Sequence, residues 1–437
     1  MFLDLAERAF DGEEFRGSAA RAIERLIRRN VVIDDRVVAV LEGWLETPAP
    51  ADPDEKTLAK REHDETAADP PPESVDKADW EARSIVWHNF GFLILPHGNF
   101  PVLESLTRVL LARPDHDRLL DLLERHLVTP ENPKVWQSLL HFVVYLRPSS
   151  TEALAAFLDR LFQDYPALAR TRDAAYLLAH VQWTVPNFVR NVLATWLQSP
   201  DRQVRQAYGE LIALIAILQP ELGWAPQGLK EIVENPSRAD ERLGAAFSAV
   251  NLWNEDGKRA AASQLLIALM PEANQRIWSA IFDLFRLTDE LTPEPDTVAF
   301  LSAMAEHIGG APRLSHTFVV ERLETLLPHE APLVAKIAQR LVAAWRDERG
   351  DIRTGTATIA PQLVDLAITL YRLGPTTRDA GTRLFEDLLR IDAYQARQTL
   401  DEIDNRFREV PRPIRPRLPR RSSRPQQRGG RISRISR

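Results

Sequence analysis

The feature that most constrains the fold is a helical hydrophobic period that recurs between Trp80 and Phe407. Segments of about 11–18 residues place apolar side chains at i, i+3, i+4 and i+7, and short breaks with Pro, Gly, Ser or Asn separate them. Two of these stripes consist of Leu103, Leu106, Val109 and Leu110, and of Leu154, Phe157, Leu158 and Leu161. No segment shows the apolar–polar alternation of a half-buried strand, so the sequence predicts an all-α fold.

Short helices linked by short breaks over more than 300 residues do not suit a single globular core. Each helix pair has an apolar face to bury, and stacking on neighbouring pairs buries it. We therefore expect a HEAT/TPR-like right-handed α-solenoid of stacked antiparallel helix pairs, with a repeat of about 30–45 residues. The concave surface of such a stack is where repeat proteins usually bind their partners.

The clearest single helix follows Ser199, which can cap it, with Pro200 at the first helical position and Asp201 adding a favourable charge. Its predicted buried face consists of Val204, Ala207, Tyr208, Leu211, Leu214, Ile215 and Leu218. Aromatic residues elsewhere also stand at apolar helical positions, which favours a core role over a stacking platform for nucleic-acid bases. They include Trp136, Trp196, Trp278, Phe282, Phe285 and Trp345.

Composition divides the chain into four parts, of which residues 1–48 are expected to form N-terminal helices and residues 80–408 the solenoid. One N-terminal helix is expected after Asp34 and Asp35, where the helix dipole favours acidic residues. Residues 49–79 hold ten Asp or Glu, four Lys or Arg and a triple proline, with few large apolar side chains. Such a segment buries too little surface to offset its ordering entropy, so it is predicted to be a mobile acidic linker.

The fourth part, residues 409–437, is predicted to be a disordered Arg-rich tail. Its arginines are Arg412, Arg415, Arg417, Arg420, Arg421, Arg424, Arg428, Arg431, Arg434 and Arg437. Outside residues 411–437, which hold all ten of these arginines and no acidic residue, the chain has 45 basic and 62 acidic residues, a net charge of -17. The tail is expected to attract polyanions such as nucleic acid, an anionic membrane or an acidic protein face. The alternative is a solubilising tail that folds back on the acidic body.

Motifs for catalysis are absent from the sequence. There is no phosphate-binding GxxxxGK[ST] loop, GxGxxG, GxSxG or HExxH, and there is no cysteine. Asp115-His116-Asp117 is the densest potential metal-binding cluster, but it also fits the acidic first turn of a helix, which we favour. His329-Glu330 is interpreted as a helix junction. We expect no enzyme activity, no cofactor and no metal.

The most distinctive loop is LPHGNFP, in which Gly98 permits a left-handed turn. His97 and Asn99 would lie on that turn, where they either contact a partner or cap the flanking helices; the structural role is favoured. No run of apolar residues is long enough to span a membrane. The acidic start of the chain also argues against a signal peptide, so a cytoplasmic protein is expected.

Several segments together resemble the C-terminal helical-repeat half of bacterial STAND-type NTPases, including members that act in anti-phage defence. These segments are residues 84–127, 131–146, 157–168, 202–218 and 377–407, and residues 1–47 are similar to the helices that precede this region. In that family the solenoid is the sensor that binds a foreign protein, such as a phage component. The NTPase domain then oligomerises and switches on an effector.

This chain departs from the family pattern because it has no Walker A motif. The resemblance therefore implies a separated sensor subunit, or a fragment or degenerate copy of a longer gene. Its expected partner is a protein, either a phage protein or a separately encoded NTPase. The alternative is a nucleic-acid-associated scaffold that uses the Arg-rich tail on phosphates.

Overall fold

The structure, a computed structural model, describes residues 19–46, 100–127, 133–308, 317–346 and 356–391. Single residues within these ranges are left out: 21, 24, 28, 30–32, 114, 167, 169 and 170. Throughout the described ranges the regular elements are helices and no strand occurs, which confirms the all-α prediction. None of these helices is long and apolar enough to cross a bilayer.

The chain divides into two compact units, Met1–Ser248 and Ala249–Arg437. The helices up to the division are α1 (Asp35–Glu46), α2 (Phe100–Ala112), α3 (His116–Leu127), α4 (Pro133–Val143), α5 (Thr151–Asp164), α6 (Arg172–Val181), α7 (Pro186–Leu197), α8 (Arg202–Leu218), α9 (Trp224–Val233) and α10 (Ala239–Leu252), within which the division falls. They are followed by α11 (Arg259–Leu269), α12 (Gln275–Leu287), α13 (Pro295–His307), α14 (Thr317–Arg346), α15 (Thr356–Leu373) and α16 (Pro375–Ile391).

Helices of the first unit form two layers. Helices α2, α4, α6 and α8 pack in succession in one layer, and α3, α5 and α7 do so in the other. Neighbours along the chain, such as α2 and α3 or α6 and α7, connect the layers. Contact with the next helix and the next but one is the pattern expected of stacked helix pairs. The handedness of the superhelix stays a prediction.

In the second unit each helix again packs on the next but one: α11 contacts α13, α12 contacts α14, and α14 contacts α16. Helix α14 contains a break at Glu330, whose φ of -129° and ψ of 38° are not helical. Pro332 explains the break, since its ring would clash with the carbonyl of Pro328 four residues earlier. The helix junction predicted at His329-Glu330 is confirmed, and α14 acts as two successive helices.

The buried faces follow the predicted stripes closely. Both stripes named for α2 and α5 are buried, as are Trp136, Trp196, Trp278, Phe282 and Phe285. The expected start of α8 needs a correction, because the helix begins at Arg202 and its N-cap is Asp201. The Asp201 carboxylate accepts a hydrogen bond from the Gln203 amide at 2.8 Å. The Ser199 hydroxyl accepts from Asp201 N at 3.2 Å, which is two residues too early to cap α8.

Two glycines allow α8 and α10 to cross with their backbones in direct contact. A Cβ atom added at Gly209 would lie 2.0 Å from the carbonyl oxygen of Glu241, and one added at Gly244 would lie 2.0 Å from that of Gln206. Neither residue has a positive φ, so the requirement for glycine comes from space and not from backbone conformation. Any larger side chain forces the two helices apart.

Polar side chains surround this crossing. Asp240 accepts hydrogen bonds from Arg205 at 2.8 Å and from Arg202 at 3.3 Å, and the Gln206 amide donates to the buried Glu210 carboxylate at 3.0 Å. The Ser248 hydroxyl donates to the backbone oxygen of Glu210 at 2.7 Å. Buried polar groups need such partners, so the crossing tolerates few alternative registers.

We predict that Gly244→Ala destabilises the first unit by about 2 kcal/mol, because overpacking a close helix contact typically costs 1–3 kcal/mol. The change is measured as the loss of free energy of unfolding in urea, followed by circular dichroism, with amide exchange in α8 and α10 as the local readout. Gly43→Ala is the matched control, because nothing lies within 4 Å of its added Cβ. It should leave stability unchanged or raise it by up to about 1 kcal/mol. Equal effects of both substitutions would contradict the close-contact explanation.

Candidate functional site

His116 and Asp117, of the potential metal-binding cluster at the start of α3, have the structural role that the sequence favours. The Asp117 carboxylate accepts hydrogen bonds from the backbone amide of Ser149 at 2.8 Å and from its hydroxyl at 3.1 Å. His116 Nδ1 accepts from the backbone amide of Arg147 at 3.3 Å. Both therefore hold the loop between α4 and α5, and the helix-start interpretation is confirmed. Across the described ranges no group of three or more His, Asp or Glu is arranged to hold a metal ion.

A different cluster forms where α4 and α6 pack side by side. We define the α4–α6 surface by His141, Tyr145, Asp173, Tyr176, His180 and Trp183. The α6 members Asp173, Tyr176 and His180 are spaced i, i+3 and i+7, which places them on one helix face. Thr171 caps α6 by accepting from the Ala174 amide at 3.2 Å, which fixes where this face begins.

The polar contact at the centre of this surface joins His141 on α4 to Asp173 on α6. His141 Nε2 and Asp173 Oδ1 are 2.5 Å apart, and the two side chains are 31% and 13% exposed. The His141 ring also contacts the Tyr176 ring, with 5.5 Å between centroids. The pair is ionic only when the imidazole is protonated, and in either state it links two helices of the same layer.

The rings of Tyr176 and His180, one helical turn apart, pack against each other with 4.2 Å between their centroids. His180 Nδ1 lies 2.8 Å from the backbone oxygen of Tyr176. Because a carbonyl oxygen only accepts, Nδ1 must carry the proton, which leaves Nε2 as the basic atom of the neutral ring. Burial lowers the pKa of His180 below its usual range, and the positive charge of Arg147 lowers it further. Burial also raises the pKa of Tyr176, assisted by Tyr145, so the phenol stays protonated.

Two aromatic side chains of this surface project into solvent. Tyr145, in the turn after α4, is 56% exposed, and Trp183, just beyond the end of α6, is 46% exposed. Tyr145 helps to raise the pKa of Tyr176, so the two phenols lie close together. Tyr and Trp bury large areas with few rotatable bonds, so exposed rings on a fixed helical scaffold are typical of protein interfaces.

The α4–α6 surface contains none of the residues that the sequence predicts as contact sites. His97 and Asn99 lie outside the described residues, as do the ten arginines of the tail. The sequence predicts no role for His141. Sequence reasoning missed its pairing because the signal is weak: a Tyr four residues after a His, and an Asp–Tyr–His series at helical spacing on a helix two further along the chain.

Comparisons with known proteins give no match: no family model, no curated protein and no solved structure matches this chain. The resemblance to STAND-type sensors therefore stays a prediction that rests on the sequence segments given above. The geometry of the α4–α6 surface is the structural basis for the functional proposal that follows.

We predict that His180→Gln reduces the loss of stability of the first unit between pH 7.5 and pH 5.5. A histidine whose folded pKa is depressed takes up its proton first in the unfolded chain, so its contribution to stability is lost as pH falls below about 6.5. The fall in melting temperature between the two pH values should be smaller in the variant than in the wild type. Tyr145→Phe disturbs the same surface without removing an imidazole and should keep the wild-type fall. Identical falls in all three proteins would show that the pKa of His180 is not lower in the folded protein than in the unfolded chain.

Proposed function

We propose that this chain is a non-catalytic helical-repeat module that binds a protein partner through the α4–α6 surface. The observation that carries the proposal is the pair of exposed rings, Tyr145 and Trp183. Tyr145 lies close to Tyr176, and Trp183 follows Tyr176 and His180 at helical spacing. The contacts among His141, Asp173 and Tyr176 hold the surface in place before any partner binds. A surface that is already ordered loses little entropy on association, which favours affinity.

The chemistry of the surface favours a protein over a small substrate. The exposed rings offer apolar area, while the imidazoles and the tyrosine hydroxyls supply donors and acceptors for polar groups of a partner. The described residues provide no metal cluster. The α4–α6 surface therefore suits a large protein surface that is partly apolar and partly polar. We see no group of catalytic residues in it.

The role we propose is that of a sensor in a bacterial STAND-type, anti-phage defence system in the cytoplasm. The support is the resemblance of five segments between residues 84 and 407 to the sensor half of those proteins. In this role the chain binds a phage protein and passes the signal to an NTPase, either one encoded separately or a domain of a longer gene product.

We predict that the double substitution Tyr145→Ala and Trp183→Ala weakens capture of the partner from phage-infected cells at least tenfold. Loss of two interface aromatics typically costs more than 1 kcal/mol each, and 1.4 kcal/mol is a factor of ten. The measurement is a quantitative pull-down with the tagged chain from infected and uninfected cells, followed by binding of the identified protein in purified form. Phe318→Ala with Tyr371→Ala is the matched control, since both rings are exposed in the second unit, by 43% and 37%. Recovery of the same proteins from infected and uninfected cells would sink the sensor proposal.

A second candidate function follows from the Arg-rich tail at residues 411–437, which holds ten arginines and no acidic residue. In this alternative the chain is a nucleic-acid-associated scaffold, with the tail on phosphates. Deleting residues 411–437 should then abolish binding to a fluorescent DNA duplex. The affinity of the full chain should fall steeply with salt, with a log–log slope that approaches about -9 if all ten arginines contact phosphates. Partner capture that is insensitive to both the deletion and salt would exclude this alternative.

A further inference from the structure

A groove opens on the other helix layer of the first unit, between α5, α7 and the segment that leads into α8. It has a volume of about 510 Å³. Its floor is apolar and consists of Phe162, Phe188, Val192 and Trp196, all of which are buried. The rings of Phe162 and Phe188 meet edge to face, with 5.6 Å between centroids, so the floor is fixed by packing.

The rim of the groove is polar and exposed. It carries the carboxamides of Gln163, Asn191 and Gln198 and the carboxylate of Asp159. A carboxamide both donates and accepts hydrogen bonds, as a peptide group does, so the three around this groove can bond to the main chain of an extended peptide. Asp159 has no basic partner among the described residues, which leaves its charge available to a cation.

The indole N–H of Trp196 also indicates a ligand, independently of the polar rim. It is buried and has no hydrogen-bond partner in the part of the chain that the structure describes. Buried donors are nearly always paired, and an unpaired one is unfavourable. A bound carbonyl oxygen that reaches this donor as the rim adjusts would remove that penalty.

We propose that this groove binds an extended peptide segment of a partner protein, in which an apolar side chain stands beside a lysine or arginine. The apolar side chain packs on the floor formed by Phe162, Phe188 and Trp196. The peptide main chain bonds to the rim carboxamides and to the Trp196 N–H, and the basic side chain pairs with Asp159. The site lies on α5 and α7, so it is separate from the α4–α6 surface and does not depend on the function proposed for that surface.

The test is selection of peptides from a displayed library of random 12-residue sequences on the immobilised full-length protein. Selected sequences should share an apolar residue next to Lys or Arg, and the affinity of the best one is then measured by fluorescence anisotropy. Trp196→Phe should weaken it about fivefold, the effect of one lost hydrogen bond. Asp159→Lys, on the exposed rim, should weaken it at least tenfold, and more so at low salt. Circular dichroism checks that each variant is folded.

Matched controls separate the groove from the rest of the chain. Trp136→Phe removes another buried indole N–H that has no partner among the described residues, and Asp256→Lys makes the same charge change at an exposed turn. Both should leave the affinity unchanged, as should the double substitution at Tyr145 and Trp183. A failure of this proposal is therefore distinguishable from a failure of the proposed function.

Four outcomes overturn the proposal. The first is that no peptide is enriched, and the second is that Trp196→Phe and Trp136→Phe have equal effects. The third is uptake of the fluorescent fatty acid cis-parinaric acid that Asn191→Trp blocks, which would identify an acyl site. The fourth concerns a synthetic peptide of residues 411–424, in which Ile414 and Leu418 each stand near arginines. If it binds with the same dependence on Asp159 and Trp196, the occupant is a segment of this chain and not of a partner.

Discussion

The backbone contact between α8 and α10 sets the frame on which the first unit is built. Gly209 and Gly244 let each helix approach the other's carbonyl oxygens, at a distance that no side chain permits. Helix α8 also packs on α6, α7 and α9, so its position is transmitted to both layers. The α4–α6 surface depends on α6 and the groove depends on α7. Both candidate sites therefore rely on the close approach at this crossing.

The polar contacts at the crossing of α8 and α10 determine how the two helices are aligned along each other more than they add to the stability of the fold. Buried ion pairs such as Asp240 with Arg205 lose much of their Coulomb attraction to desolvation, so their net contribution is small. A shift of α10 by one residue would, however, break the hydrogen bonds from Arg205 to Asp240 and from Ser248 to the backbone oxygen of Glu210. At the far end of α8, the Gln219 amide donates to the buried Gln182 carboxamide at 3.0 Å, which ties α8 to the end of α6 in the same way. The helix layer that carries the exposed rings is thus held at two points along α8.

Hydrophobic periodicity predicts the buried face of each helix in this chain, but it does not predict the contacts between helices that are distant in the sequence. The stripes of α2 and α5 were predicted because burial repeats with the helical turn, and the junction at Glu330 because prolines flank it. The start of α8 was misplaced by two residues, since both Ser199 and Asp201 can cap a helix and only the structure shows which one does. Gly209 and Gly244 give no sequence signal, because a glycine within a helical pattern ordinarily means only a weaker helix. The pairing of His141 with Asp173 depends on direct packing of α4 against α6. These two helices are separated in the sequence by α5, so no local pattern predicts their contact.

The unequal burial of the tryptophans gives the protein an internal optical probe. The indoles of Trp44, Trp136, Trp196, Trp253 and Trp278 are buried, whereas that of Trp183 is the exposed one among the described residues. An indole in water emits at longer wavelength than one in an apolar core. A partner that covers Trp183 would shift the emission of this indole towards the blue and shield it from iodide. The contribution of Trp183 to the fluorescence can therefore report association on the unlabelled chain.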